Sequence, residues 1–380
     1  MRILPLLLLA ACTPVEEPAD DPTPVVSELS LDLWAQPGPG GVGVTTQVLV
    51  DHDRPTPAHG AELGLPERTL TVETWYPAAQ GGVDQSARDV PPLAGPHPLL
   101  VWAHGFMSDR LDHAGLGRFL ASHGYVVASI GFPLSGRGTA GGADAADVIN
   151  QPGDVSFVVD SLIAADGLLA GAVDGDLLAV GGLSLGGMTT ALVGMHPAVS
   201  DDRIDALLPV APATCALGLE SFDAPNPPML IVHGTADAVL AHDEHALALF
   251  ERATGPRWLA SLIGGTHTGF PDVTAGLFDD LEHADSVGCG TIEGSVETST
   301  PVIVDPVDGE GDILGPDCSA PCVDLAGYGR GMRPTRQVRL LMALARAFLD
   351  AQLRGDADAL LWLEAGIGLQ EEDVDLLIGG

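Results

Sequence analysis

The feature that most constrains the fold of this 380-residue chain is the stretch of residues 176–191. It combines a short apolar strand, a glycine-rich turn that carries one serine, and the start of a helix. Residues 182–186, Gly-Leu-Ser-Leu-Gly, match the pattern Gly-x-Ser-x-Gly, in which a strained turn exposes a serine hydroxyl above a sheet. A tight structural turn is the alternative, since a chain with 48 glycines produces such matches by chance. The flanking strand and helix favour Ser184 as a nucleophile.

Apolar runs that suit buried strands alternate with helix-compatible segments along the rest of the chain. The predicted strands span residues 99–103, 125–130, 205–210, 229–232 and 258–263, and the predicted helices span residues 110–123, 155–165, 243–253 and 334–353. Residues 47–51 and 68–76 suit an antiparallel pair before them. The alternation predicts an α/β fold with a mostly parallel central sheet and helices on both faces.

One segment interrupts this alternation. Residues 268–332 are acidic, rich in Gly and Pro, and contain three of the five cysteines. A segment of this length inside a compact domain is usually functional, such as a lid, or else disordered. Because it follows His267 directly, we expect it over the candidate site. Residues 308–312, Asp-Gly-Glu-Gly-Asp, have the composition of a calcium loop, but their spacing departs from an EF-hand and favours a solvated acidic loop. We predict a single α/β domain over residues 41–380 with this one insertion.

The first residues indicate export. Residues 1–11 contain one basic residue, Arg2, and an apolar run that is too short to span a bilayer, and Cys12 follows Leu-Ala-Ala. This pattern resembles a bacterial lipoprotein signal, which implies cleavage before Cys12 and a lipid anchor on that residue. An ordinary secretory signal is the alternative. Residues 12–40, rich in Pro, Asp and Glu, predict a disordered tether between the lipid and the domain, at the periplasmic or outer surface of the cell envelope.

Export places the other four cysteines in an oxidising compartment. Cys215, Cys289, Cys318 and Cys322 form an even set, which favours two disulfides. Of the three connectivities that four cysteines allow, we predict Cys318 with Cys322 and Cys215 with Cys289. A zinc site is the alternative, but no Cys-x-x-Cys pair or nearby pair of histidines accompanies these residues. We therefore expect no metal.

The net charge of the chain is −36, from 16 basic and 52 acidic residues. Such a charge repels nucleic acid and anionic membrane surfaces, so neither is an expected partner through charge. A solvated surface is the simplest interpretation of the acidity. The expected contact with a membrane is the N-terminal lipid anchor, and the oligomeric state is left open.

A serine nucleophile requires a general base, an acid that orients the base, and donors for the oxyanion. Asp237 follows a predicted strand within His-Gly-Thr-Ala-Asp, and His267 follows the next strand within Gly-Gly-Thr-His. Ser184, Asp237 and His267 thus lie in the chain order that the serine turn requires, each at the end of a strand. The alternative for Asp237 is a helix-capping role, with Asp223 or Asp272 as the acid.

The oxyanion site should use two backbone amides. One amide belongs to Leu185, directly after the serine, and the other to Phe106, in the loop after residues 99–103. His104 and His233 each precede a glycine, and we interpret them as loop-shaping residues. This chemistry needs no cofactor.

These motifs together resemble the α/β-hydrolases, in the group that contains cutinase-like polyester hydrolases, platelet-activating-factor acetylhydrolases and dienelactone-hydrolase-like proteins. The resemblance runs from about residue 68 to 270 and rests on blocks at residues 72–77 (Val-Glu-Thr-Trp-Tyr-Pro), 103–106, 120–127, 182–187, 233–237 and 265–268. It implies that Phe106 is the aromatic residue that polyester hydrolases carry in the oxyanion loop. Two departures are Ser184, where dienelactone hydrolases proper use a cysteine, and the insertion after His267, which compact cutinase-like enzymes lack.

The residues and the resemblance predict a serine carboxylic-ester hydrolase that acts through an acyl-enzyme on small or medium acyl esters. A phospholipid or polyester hydrolase would use the same three side chains, and a lipid anchor would hold it beside a membrane ester. A serine peptidase would too, but the chain has no large accessory domain to select peptides. A non-catalytic surface lipoprotein, with a ligand in a hydrolase-like pocket, is the alternative from a different class.

Overall fold

The computed structural model describes residues 29–215, 225–295, 302–305, 309–312, 318–322 and 325–380. The predicted signal peptide, the lipidation site Cys12 and the rival acid Asp223 lie outside the described residues, as does residue 308 of the acidic run. None of the helices in the described ranges combines the length and the apolar character needed to cross a bilayer.

Within the described residues, ten strands form one sheet in the order β12-β9-β8-β7-β6-β4-β5-β2-β1-β3. Neighbouring strands from β9 through β5 run parallel, whereas β12 pairs antiparallel with β9, and β2 pairs antiparallel with β5 and β1. The strands are β1 (Gly41–Asp51), β2 (Arg68–Ala78), β3 (Ala87–Arg88), β4 (His97–Ala103), β5 (Val126–Gly131), β6 (Val173–Leu183), β7 (Ala206–Val210), β8 (Met229–Gly234), β9 (Arg257–Leu262), a separate hairpin of β10 (Val302–Asp305) and β11 (Gly309–Asp312), and β12 (Val374–Gly379). The prediction of a mostly parallel α/β sheet is confirmed.

Helices cover both faces of the sheet. They are α1 (Leu31–Trp34), α2 (Ala114–Ser122), α3 (Gln151–Ile163), α4 (Leu185–Met195), α5 (Ala248–Arg252), α6 (Asp285–Ser295), α7 (Pro334–Arg354), α8 (Ala357–Leu361) and α9 (Ile367–Gln370). Apolar residues of α3, α4 and α5 pack into the core on one face, and those of α2, α7 and α8 pack into the core on the other. The amphipathic α7 begins at Pro334 and ends before Gly355, whose left-handed conformation closes the helix.

The central strands are continuous apolar runs because both of their faces are covered by helices. Residues 98–103 of β4 and all of β7 and β8 are buried. Paired residues at the carboxyl edge of the sheet are Ala103 with Gly182, Leu183 with Val210, Val210 with Val232, and Gly234 with Leu262. This register brings the loops after β4, β6, β8 and β9 to one edge, as the sequence predicts for the site.

The structure differs from the sequence predictions at the boundaries of two segments. Residues 29–40 were expected in a disordered tether, but Leu31 and Trp34 are buried against α7, and the Arg346 guanidinium lies 4.8 Å from the Trp34 ring centroid. Apolar burial therefore outweighs the Pro-rich composition there. The helix expected from residue 110 begins at Ala114, because residues 108–112 form a turn in which the Asp112 carboxylate accepts hydrogen bonds.

The predicted disulfide pairing is wrong. Cys215 is bonded to Cys318, and Cys289 is bonded to Cys322. The amide of Cys322 donates to Ala238 O at 2.7 Å, which places Cys322 beside the loop after β8, where it meets Cys289 of α6 rather than its near neighbour Cys318. The two bonds indicate an exported protein, since disulfides persist in oxidising compartments.

Candidate active site

Ser184 occupies a strained turn between β6 and α4. Its backbone has φ 59° and ψ −115°, which few residues other than glycine adopt. A Cβ on Gly186 would lie 2.1 Å from Ala103 O, and a Cβ on Gly182 would lie 2.5 Å from Gly186 O. The turn is therefore too tight for side chains at either flanking position, which explains the two glycines of the motif.

Asp237 and His267 lie in hydrogen-bonding contact, each in the loop that follows its strand. Asp237 Oδ2 is 2.7 Å from His267 Nδ1. The other carboxylate oxygen, Oδ1, accepts from the amides of Val239 at 2.9 Å and Leu240 at 2.7 Å. Asp237 thus shapes its own loop and orients the imidazole, and it caps no helix, because the next helical segment begins at Asp243 after His242. The rival acid Asp272 instead accepts from the amide of Leu116 near the start of α2.

The surroundings of His267 favour its charged form. Burial alone would lower the pKa of His267, but the charge and hydrogen bond of Asp237, with the charge of Asp285, outweigh burial and raise that pKa. The imidazole is nearly enclosed, with 12% of the side chain exposed. An imidazolium at this position would therefore be stabilised by the carboxylate behind it.

Ser184 and His267 are not joined in the structure. Among the described residues, no hydrogen bond connects the Ser184 hydroxyl to the imidazole, whose Nδ1 is occupied by Asp237 and whose Nε2 is left without a protein partner. Catalytic hydrogen bonds are often long without substrate and shorten in the reacting complex. The geometry therefore establishes the acid–base contact and leaves the serine–base contact as a proposal.

The loop after β4 lies against the serine. A Cβ on Gly105 would be 3.3 Å from Ser184 Cβ and 3.9 Å from Ser184 Oγ. Phe106 follows this glycine, and Leu185 begins α4. Within the described part of the chain, neither the Phe106 amide nor the Leu185 amide donates a hydrogen bond, so both remain available to an oxyanion.

His104 and His233 have loop-shaping positions. The imidazole of His104 donates from Nδ1 to Gly105 O at 2.7 Å, and its Nε2 accepts from the Phe132 amide at 3.2 Å. His233 donates from Nδ1 to Gly234 O at 3.0 Å. Burial lowers the pKa of His104, and it lowers the pKa of His233 to about 4, so both imidazoles are neutral near pH 7.

Two polar residues that the sequence patterns did not indicate hold the histidine loop. Asp285, from α6, accepts hydrogen bonds from the amides of His267 and Thr268. Gln337, from α7, accepts from the Thr266 amide at 2.9 Å and donates to Thr266 O at 2.6 Å. Neither residue belongs to a motif, and Asp285 begins α6, 18 residues beyond His267, in a segment for which the sequence predicts no helix, so no spacing rule identifies it.

Cys215, Glu244 and His245 form a cluster of metal-ligand types in the described residues. The sulfur of Cys215 is part of a disulfide, and His245 Nδ1 accepts from the Cys215 amide at 3.1 Å. Glu244 is engaged by the amide and hydroxyl of Ser319. The donor atoms of this cluster are therefore already used, and it does not fit a metal ion.

Comparison with known proteins places these loops in one matched segment. Residues 94–269 match the family model described as "PETase: PET hydrolase-like", and this segment contains Ser184, Asp237 and His267. A similar solved structure is the ferulic acid esterase from Streptomyces cinnamoneus, at 20% sequence identity and a TM-score of 0.60, over 91% of this chain and 98% of that one. At that identity the likeness concerns the fold. No curated protein sequence matches the chain.

Proposed function

We propose that the chain, which has the α/β-hydrolase fold, is a serine esterase that hydrolyses carboxylic esters through an acyl-enzyme on Ser184. The observation that carries the proposal is the 2.7 Å contact between Asp237 and His267, at the same sheet edge as a serine in a strained, glycine-flanked turn. A histidine oriented by a carboxylate, at the sheet edge that carries the serine hydroxyl, is the arrangement that activates a serine.

The proposed reaction proceeds in two steps. His267 Nε2 takes the proton of Ser184 Oγ as the oxygen attacks the ester carbonyl, and the alcohol leaves with that proton. Asp237 holds the imidazole in the required tautomer and stabilises its cation. The amides of Phe106 and Leu185 stabilise the oxyanion, each contributing about 3 kcal/mol to transition-state binding. Water then attacks the acyl-enzyme with His267 as the base.

Small or medium acyl esters are the proposed substrates. The family match supports a second candidate, a polyester hydrolase with the same three residues, because the matched segment is described as PET hydrolase-like. The ferulic acid esterase adds aromatic esters to the compounds worth testing. A panel of p-nitrophenyl esters of increasing acyl length, methyl ferulate and a soluble terephthalate diester would rank these classes by kcat/KM.

Ser184→Ala tests the proposal directly. We expect the variant to lose about 10⁵- to 10⁶-fold in kcat on p-nitrophenyl butyrate, because the nucleophile is removed. Ser161→Ala, which removes a hydroxyl that donates to Phe157 O on α3, is the matched control and should keep full activity. A fluorophosphonate probe should label the wild type at Ser184. A wild-type protein that neither reacts with the probe nor cleaves any ester of the panel would instead be a non-catalytic binding protein.

We further propose that the exported chain is attached to the membrane through a lipid on Cys12. The support is the lipoprotein-like signal at residues 1–12, together with disulfides that indicate export. Expression of Cys12→Ser in a bacterial host, followed by separation of membrane and soluble fractions, tests this. The variant should move to the soluble fraction while the unmodified chain stays with the membrane, and identical fractionation would refute the anchor.

A further inference from the structure

Asp285 is a fully buried carboxylate at the start of α6, within the insertion that follows His267. Its Oδ2 accepts hydrogen bonds from the amide of Ala238 at 2.9 Å and from the amide of His267 at 3.1 Å. Its Oδ1 accepts from the amide of Thr268 at 2.6 Å. One carboxylate therefore satisfies main-chain donors in both loops, the one that carries Asp237 and the one that carries His267.

The contacts of Asp285 differ from those of Gln337, the other side chain on the histidine loop. In the described part of the chain, the side chain of Gln337 hydrogen-bonds to Thr266 alone, through its amide and its carbonyl. Asp285 alone among these two residues contacts the acid loop as well as the base loop. Asp285 therefore adds a side-chain link between the two loops, beside the direct hydrogen bonds from the Ala236 amide to Gly265 O and from the Gly264 amide to Thr235 Oγ1.

The helix that carries Asp285 is itself fastened to the acid loop. Cys289, also on α6, is bonded to Cys322, whose amide donates to Ala238 O at 2.7 Å. Both polar groups of the Ala238 backbone are thus engaged by the insertion, the N–H by Asp285 and the C=O by Cys322. A shift of α6 would move the residue directly after Asp237.

We propose that Asp285 is a positioning residue of the ester hydrolase: its carboxylate holds the backbones of Ala238, His267 and Thr268 so that Asp237 and His267 meet in the reactive geometry. The inference rests on the proposed function. The insertion thus supports the backbone around the general base His267, and we call this support the brace. No motif in the sequence indicates it. Misplacement of a reacting group by about 1 Å costs on the order of 100-fold in rate, so loss of this brace should be visible in kcat.

The titratable groups around His267 come from three elements. Asp237 follows β8, Asp285 lies on α6, and His245 precedes α5 with its pKa lowered to about 4, mainly by burial, so that it is neutral near pH 7. His283 Nδ1 lies 4.0 Å from Asp285 Oδ2. Since the two carboxylates carry the charges that raise the pKa of His267, removal of the Asp285 charge should lower that pKa.

Asp285→Asn is the main test, with kcat, KM and their pH dependence measured on p-nitrophenyl butyrate per serine titrated with a fluorophosphonate. We expect kcat to fall about 10- to 100-fold with KM within about threefold of the wild type. The acidic limb of kcat/KM should move to lower pH. A carboxylate that only supports folding would change the titratable fraction and leave both readouts per site unchanged, which would overturn the proposal.

Two further variants control the experiment. Asp279→Asn removes a carboxylate of the same insertion that accepts from the amide and hydroxyl of Thr335 away from the triad, and it should leave kcat and the limb unchanged. Asp285→Glu keeps the charge and displaces the oxygens, so kcat should fall while the acidic limb stays in place; full kcat in this variant would also refute the brace, even if Asp285→Asn fails to fold. Absence of ester hydrolysis in the wild type would defeat the proposed function instead.

Discussion

Two regions of the molecule meet at His267 and hold it in different ways. The loops after β6, β8 and β9 carry Ser184, Asp237 and His267, and the parallel register of the sheet brings these loops to one edge. The insertion at residues 268–332 contacts the loops after β8 and β9 through the Asp285 carboxylate and the amides of Cys322 and Met332. Two disulfides fasten it, one within the insertion and one to Cys215 after β7. A sheet positions groups through many repeated main-chain bonds, whereas the insertion uses a few point contacts.

This difference predicts that substitutions in the two regions affect activity and stability in different proportions. A side chain at the sheet edge can be replaced without disturbing the main-chain hydrogen bonds that position its loop. Its loss should therefore lower kcat and leave the free energy of unfolding nearly unchanged. In the insertion, the side chain or disulfide is itself the contact that holds the segment in place. Its loss should therefore lower the free energy of unfolding and displace the general base His267. Substitutions in the two regions therefore test the comparison.

The largest expected effect belongs to the sheet edge, at Asp237→Asn. The asparagine Oδ1 can still accept from the amides of Val239 and Leu240, so the loop should keep its shape. Its amide would face His267 Nδ1 as a donor, which forces the tautomer that cannot take the serine proton. We expect kcat to fall about 10⁴-fold.

Steady-state kinetics and urea unfolding of the same preparation check this prediction. The free energy of unfolding should change by no more than about 1 to 2 kcal/mol, since a single hydrogen bond is altered. Asp205→Asn is the matched control, because Asp205 accepts from the Leu178 amide at 2.8 Å beside the amino end of β7. Its kcat should be unchanged. If the activity of Asp237→Asn fell only in proportion to the fraction of folded protein, the prediction that sheet-edge side chains affect kcat rather than stability would be wrong.

The sheet region was predictable because its signals are local. The apolar run of β4 and the glycines on either side of Ser184 follow from burial and from close backbone approach, which leave a direct trace in the sequence. The order of serine, acid and histidine then follows from parallel strands whose carboxyl ends share an edge. The contact of Asp237 with His267 was reached in this way from residue types and spacing.

The insertion was not predictable because its contacts depend on chain paths that no periodicity records. The pairing of Cys215 with Cys318 joins residues 103 apart in sequence, and the local pairing of Cys318 with Cys322 that we predicted is wrong. Asp285 acts on backbone groups, whose need for a partner is invisible in residue types. Likewise, β12 pairs antiparallel with β9 at the sheet edge, although the sequence pattern predicts no element after residue 353.

The next effect in size concerns the two disulfides. The bond between Cys215 and Cys318 closes a segment of 103 residues, and that between Cys289 and Cys322 closes one of 33. Replacing each pair by serines should lower the free energy of unfolding, by about 3 to 5 kcal/mol for the longer segment and about 2 to 4 kcal/mol for the shorter. Urea unfolding at pH 7 measures both.

The kcat values should distinguish the two disulfide variants, whereas their free energies of unfolding should be similar. The Cys289 and Cys322 double variant removes the covalent link between α6 and the segment that bonds to Ala238 O, and leaves only Asp285 to hold α6 at the loop after β8, so kcat per titrated serine should fall severalfold. The Cys215 and Cys318 double variant is its matched control and should keep kcat, because no hydrogen bond among the described residues joins either cysteine to Asp285, Ala238 or His267. Equal kcat in both variants would show that the insertion does not act on the base through this covalent link.

The smallest expected effect belongs to Asp272, which fastens the start of the insertion to α2. Its Oδ2 accepts from the Leu116 amide at 3.0 Å, while Oδ1 is buried without a hydrogen-bond partner among the described residues. Burial raises the pKa of Asp272 to about 7, against the bonds from α2 that lower it. The unfolded chain loses this proton near pH 4 and the folded chain near pH 7, so the group makes the protein less stable as pH rises from 4 to 7.

Asp272→Asn should remove that pH dependence. The free energy of unfolding of the variant minus that of the wild type should rise by about 2 to 4 kcal/mol between pH 4 and pH 8, with most of the rise complete by pH 7. Asp201→Asn is the control, since hydrogen bonding to Arg203 lowers the pKa of Asp201 to about 2, and the corresponding difference should stay flat over that range. A flat difference for Asp272→Asn would mean that its carboxylate ionises as readily in the folded chain as in the unfolded one. In that case, ionisation of Asp272 would not lower the free energy of unfolding, and the contact between the start of the insertion and α2 would not depend on pH. The contact would then resemble the main-chain hydrogen bonds of the sheet, which do not involve a titratable group.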